Sequence, residues 1–125
     1  MNEKININIK ATNIELTEAI RNHVINSVTK LEKFASIPGE SQALANVEVS
    51  KTIASQHSGE IFRAELNFNV RGDFFRAEST TSDLYASVDD VVKEMERLLG
   101  RAHGKKSTMF RRGAAKVKNW LRFGK

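Results

Sequence analysis

The 125-residue sequence predicts an α+β fold: a two-layer sandwich in the order β-α-β-β-β-α, with a four-stranded sheet and both helices on one face. Three observations carry this expectation. Four segments alternate apolar and polar residues with the period of two that a half-buried strand requires. Two longer segments repeat apolar residues every three or four positions, which lays an apolar stripe along a helix. No strand segment is apolar on both faces, so the sheet is covered on one side only and the helices must share that side.

The first strand is Lys4–Ala11, where Ile5, Ile7 and Ile9 face one way and Asn6, Asn8 and Lys10 the other. Thr17 is a suitable N-cap for the first helix, and Glu18 stands in the first turn, where the helix dipole favours an acid. Ile20, Val24, Val28, Leu31 and Phe34 form its stripe and carry the helix to about Phe34. The segment Ala35–Gln42 holds the only proline, Pro38, followed by Gly39, and reads as a loop. Val47, Val49 and Lys51 mark the second strand, and Ser55–Gly59 is a polar connection. Phe62, Ala64, Leu66, Phe68 and Val70 form the clearest strand of the chain. Arg71-Gly72-Asp73 turns into a fourth strand, Phe74–Thr80, with Phe75 and Ala77 inward and Phe74 exposed. Ser82 or Asp83 caps the second helix, whose apolar positions are Leu84, Tyr85, Val88, Val91, Val92, Met95, Leu98 and Leu99. Gly100 weakens this helix by about 1 kcal/mol relative to Ala, so it ends there or near His103. Gly104–Thr108 reads as flexible, and Ala114–Phe123 as a short amphipathic helix with Val117, Trp120 and Leu121 on one side.

Composition narrows the function. With no cysteine, disulfides, thiolate metal sites and thiol catalysis are excluded. The N-terminal MNEKINI lacks an apolar stretch of signal-peptide length and no later segment suits a bilayer span, so a cytoplasmic location is expected. Charge is unevenly distributed. Residues 1–96 carry ten Lys/Arg against fifteen Asp/Glu, whereas residues 97–125 carry ten Lys/Arg and no acid. That division predicts an α/β domain over residues 1–106 and a basic C-terminal arm over residues 107–125, and basic arms seek polyanions.

Three motifs are misleading. GRAHGKKS (Gly100–Ser107) lacks the glycine spacing and the Ser/Thr of a phosphate-binding loop, and it follows a helix rather than a strand. Arg71-Gly72-Asp73 is better read as a turn. His23, His57 and His103 lie on three different elements with no metal-binding spacing, and His23 borders the core stripe of its helix. No catalytic residue, metal or cofactor is expected.

The basic residues form a more coherent constellation. Arg21, Lys30 and Lys33 lie off the apolar stripe of the first helix. Lys93, Arg97 and Arg101 recur every four residues along the second, and Lys105, Lys106, Arg111 and Arg112 follow. Such a row can track phosphates, with affinity that is mainly electrostatic. Asp89, four residues before Lys93, can offset it. The open face of the sheet carries Lys10, Glu48, Arg63, Glu65, Arg76 and Glu78 and no paired aromatics, which argues against base stacking there.

IRNHVINSVTKLEKF on the first helix and SDLYASVDDVVKEMERLL on the second resemble the ribosome hibernation promoting factor family, which includes the ribosome-associated inhibitor proteins. The resemblance spans about Ile5 to Lys106. It implies a fold similar to a double-stranded-RNA-binding domain. It also implies binding to ribosomal RNA in the head–body cleft of the small subunit, where messenger RNA and A- and P-site transfer RNA would lie, and therefore translational silencing of idle ribosomes. The family's basic positions match Arg21, Lys30, Lys33, Arg97, Arg101 and Lys105. Asp83 and Tyr85 match the helix-opening motif and are read as a cap and as packing against the sheet. Three departures stand out: Glu94 where the family has Lys, Ser27 where many members are basic, and Gly100 where a helix former is usual. Long members add a C-terminal ribosome-pairing domain; here the resemblance is followed by the arm with Trp120 and Phe123. The free protein is expected to be a monomer, with no small-molecule substrate and no membrane partner. Two other readings stay open: a general double-stranded-RNA binder or RNA chaperone, and a membrane-surface protein anchored by Ala114–Phe123.

Overall fold

The alternating segments form one sheet in the computed structural model, which describes residues 3–53 and 59–112, with side chains through residue 102 except at residue 53. The elements are β1 (Ile5–Thr12), α1 (Glu18–Thr29), α2 (Glu32–Ala35), β2 (Ala43–Ile53), β3 (Glu60–Val70), β4 (Asp73–Thr81) and α3 (Leu84–Arg112). The sheet order is β1-β2-β3-β4. β1 pairs parallel to β2, so the chain must cross over between them, and α1 and α2 make that crossing. The other two pairings are antiparallel.

Register explains why one face is apolar. Ile9 stands beside Val47, Val47 beside Leu66, and Leu66 beside Ala77; the adjacent row is Ile7, Ala45, Phe68 and Phe75. These rows meet Val24, Val28 and Leu31 from the α1 side and Val88, Val91, Met95 and Leu99 from α3, all buried. The opposite face is polar, with Lys10, Glu48, Glu65 and Glu78 in one row. Arg63 pairs with Glu78 and lies 3.1 Å from Glu65, whose other oxygen is 2.8 Å from Arg76. Phe74 lies on this open face, 44% exposed, as its parity requires.

Local signals set the element ends. Thr17 Oγ1 accepts from the Ile20 N–H at 3.2 Å, and Asp83 Oδ2 accepts from the Ala86 N–H at 3.1 Å, so Asp83 caps α3. The β3–β4 connection is the two-residue turn Arg71-Gly72, with φ of 54° and 79°, the positive pair that suits a tight hairpin. Arg71 is held in that conformation by its guanidinium, which donates to the carbonyls of Ala35 and, at 2.9 Å, Ser36.

Two helical expectations need correction. The first helix does not run unbroken to Phe34. It ends at Thr29, where the N–H groups of Lys30 and Leu31 turn back to Ser27 and Val28, and α2 follows as a single further turn. Those i to i+3 bonds tighten the chain and keep Leu31 in the core while redirecting Lys33. The second helix does not stop near Gly100 or His103. It continues through Gly104–Thr108 to Arg112, so the division expected at residue 106 falls inside α3. Leu99 and Ala102 are both buried and keep the helix docked past Gly100, and no proline interrupts the remaining turns. The connection at residues 54–58 and the expected helix Ala114–Phe123 lie outside the described residues. Among the described residues, no helix is long and apolar enough to cross a membrane.

Candidate nucleic-acid interface

The helical layer presents the basic side chains that the sequence singled out. Arg21 is exposed on α1, Lys30 at its C-cap, Lys33 on α2, and Lys93, Arg97 and Arg101 on α3. A rise of about 1.5 Å per residue spaces the last three about 6 Å apart along the axis. Lys105, Lys106, Arg111 and Arg112 continue on the α3 backbone, with side chains outside the described residues.

Three of these residues converge around one aromatic ring. Lys33 Nζ lies 5.9 Å from the centroid of Phe34. Phe34 in turn lines a shallow cavity of about 550 Å³ together with Lys93 and Arg97, and with Asp90, Glu94 and Glu96. Among the described residues, the side chains of Arg21, Lys30, Lys93 and Arg101 make no hydrogen bond or ion pair. Arg97 differs. Its guanidinium grips Glu94 from one turn back, with Nε 3.1 Å from Oε1. The Arg97 hydrogen bond holds the Glu94 carboxyl below the usual carboxylate range, and Arg101 adds to this through its charge; the same bond raises Arg97.

The acids of α3 are largely engaged inside the fold. Asp83 caps the helix, Asp90 accepts from Ser79 Oγ at 3.0 Å, and Asp89 Oδ1 is 2.9 Å from His23 Nε2. The expected offset of Lys93 by Asp89 is therefore replaced by a contact across the helix pair. Tyr85 is also corrected: it does not pack against the sheet but stands 39% exposed, edge-to-face with His23. Neither contact follows from spacing within one helix. The Glu94–Arg97 pair does, because residues three apart share a helix face. Ser27, at one of the family's basic positions, is 8% exposed in α1 and adds nothing to a charged surface.

Comparison with known proteins decides the family. Residues 7–107 match the family described as Sigma 54 modulation protein / S30EA ribosomal protein. This chain belongs to that family. The ribosome hibernation promotion factor of Lactococcus lactis is 31% identical over 93 residues, covering 74% of this chain and 46% of that protein. The factor of the same name from Staphylococcus aureus is 33% identical over 94 residues, covering 74% and 45% respectively. The chain thus spans about half the length of the curated relatives it matches. Its fold is similar to the Thermus thermophilus Protein Y N-terminal domain, with a TM-score of 0.62 and 28% identity over 81% of this chain and 98% of that one. A ribosomal subunit interface protein from Coxiella burnetii shares the fold at a TM-score of 0.55 and 16% identity, over 77% and 97%.

Proposed function

We propose that this protein is a ribosome hibernation factor that binds ribosomal RNA in the head–body cleft of the small subunit. There it would exclude messenger RNA and the A- and P-site transfer RNAs, and so silence and protect idle ribosomes. It acts by occupying space, one protein per ribosome, and needs no bond-breaking step. The observation that carries this reading is the set of cations on the helical layer: the side chains of Arg21, Lys30, Lys93 and Arg101 make no hydrogen bond or ion pair among the described residues, while Asp83, Asp89, Asp90 and Glu94 are tied to internal partners and Glu18, Glu32 and Glu96 are not. Unpaired cations along two neighbouring helices are suited to phosphates. The membership of the family and the names of its relatives point that phosphate binding to the ribosome.

The test is co-sedimentation with purified small subunits, large subunits and whole ribosomes, alongside cell-free translation. Association with small subunits and whole ribosomes, and inhibition rising as the protein approaches ribosome concentration with the RNA intact, is expected. Equal affinity for bare RNA duplex would favour a general double-stranded-RNA binder instead, and inhibition at strongly substoichiometric amounts would point to an enzyme.

A further inference from the structure

α1 and α3 meet at an aromatic pair for which phosphate binding has no use. Tyr85 is the chain's only tyrosine and stands on the first turn of α3. His23 reaches it from α1, with ring centroids 4.9 Å apart and planes at 78°. One turn further along α3, Asp89 holds His23 Nε2 at 2.9 Å. Side chains from two helices therefore fix one aromatic ring at the surface before any partner arrives.

Core packing does not account for that ring. The buried stripe of α3 runs through Leu84, Val88, Val91 and Met95, and Tyr85 lies beside it with 39% of its surface exposed. Nor does the site suit a phosphate. The acids flanking Tyr85 on its own helix are Asp83 and Asp89, committed to the helix cap and to His23, and a phosphate here would meet both. A flat, uncharged group is the better ligand. Every nucleobase offers such a face, and RNA presents unpaired bases for stacking on aromatic side chains. Lys93, two turns beyond Tyr85 on α3, is free among the described residues to hold a neighbouring phosphate.

We propose that the His23–Tyr85 pair is a stacking site for one unpaired nucleobase, with Tyr85 making the contact and His23 and Asp89 positioning it. The proposal rests on the ribosomal-RNA reading above and adds to it a contact that releases no counterions.

The experiment measures binding of the full chain to small subunits at several salt concentrations, with thermal melting of each variant. Tyr85→Phe should bind within about twofold of the unaltered protein, and Tyr85→Ala should bind roughly five- to a hundredfold more weakly. The salt slope of Tyr85→Ala should match the unaltered protein, whereas Arg101→Ala should lower it by about one. Tyr85→Ala binding within twofold of the unaltered protein overturns the proposal, as does a loss as large in Tyr85→Phe. Should Tyr85→Ala melt many degrees lower, a photoreactive phenylalanine analogue at position 85 decides. Crosslinking to RNA supports the stacking site; crosslinking only to protein overturns it in favour of a basic side chain on the ring. If the unaltered protein fails to bind small subunits, the ribosomal reading falls and this site with it.

Discussion

Glu94 governs how much of Arg97 a phosphate can use. The pair is exposed, so its own contribution to stability is small. Its effect on binding should be larger, because the carboxylate both occupies the guanidinium and repels the ligand. Glu94→Gln is expected to bind small subunits about two- to fivefold more tightly at low salt. Sedimentation of the variant beside the unaltered protein checks this; equal or weaker binding would show that Arg97 does not contact RNA. At this scale the sequence was informative where partners share an element and silent where they do not. Glu94 and Arg97 are three residues apart on one helix. His23 and Asp89 are 66 apart, and only the packing of α1 beside α3 joins them. Tyr85 shows the limit of a periodic pattern. Its spacing fits the apolar stripe, yet it falls at the stripe's edge, where a ring with a hydroxyl can face water.

At the level of elements, strands were legible and helix ends were not. A strand's period of two assigns each side chain to a face, so Phe75, Ala77 and exposed Phe74 could be placed by parity. Helix length depends on tertiary packing and is written less plainly. Leu31 and Phe34 sustain the stripe of the first helix, but the chain tightens between them and divides it. Gly100 suggests an end, but Leu99 and Ala102 hold the helix down. Gly100 is itself exposed, and an added Cβ would meet nothing within 4 Å. Gly100→Ala should therefore stabilise the protein by up to about 1 kcal/mol and raise the melting temperature by a few degrees. A lower melting temperature would mean that α3 needs the glycine's freedom. On the sheet, burial pushes the Glu65 carboxyl up, but hydrogen bonds from Asn67 and Arg63 and the charges of Arg76 and Arg63 outweigh it and leave it below the usual range. A carboxyl depressed in the folded state stabilises the fold above its unfolded pKa, about 4.3, and that stability is lost as pH falls through the folded value. Glu65→Gln should accordingly melt a few degrees lower than the unaltered protein at pH 7, and the two curves should converge as pH falls from the unfolded pKa through the folded value. A gap that persists in acid would assign the effect to shape rather than charge.

Across the whole molecule, charge is segregated along the chain, with every residue of the last 29 that bears a full charge being basic. If RNA binding neutralises six or more phosphates, raising salt from about 50 to 200 mM should weaken it on the order of a thousandfold. A flat response would exclude the electrostatic reading. The same segregation predicts how far fold and affinity can be separated. The last buried side chain described is Ala102 in α3, and the four strands, α1 and α2 all precede it. Truncation after Lys106 removes the final turns of α3 and six basic residues: Arg111, Arg112, Lys116, Lys118, Arg122 and Lys125. It keeps Arg21, Lys30, Lys33, Lys93, Arg97, Arg101, Lys105 and Lys106. The truncated protein should melt within a few degrees of the full chain, because no described core contact is lost. It should bind small subunits markedly more weakly and with a shallower salt slope, yet still prefer them to large subunits. Preference survives because position is set by contacts on the folded helices, whereas phosphate contacts from the removed segment add affinity without fixing register. A truncated protein that unfolds would place residues 107–125 in the core. One that binds both subunits equally would place the specificity in the segment removed.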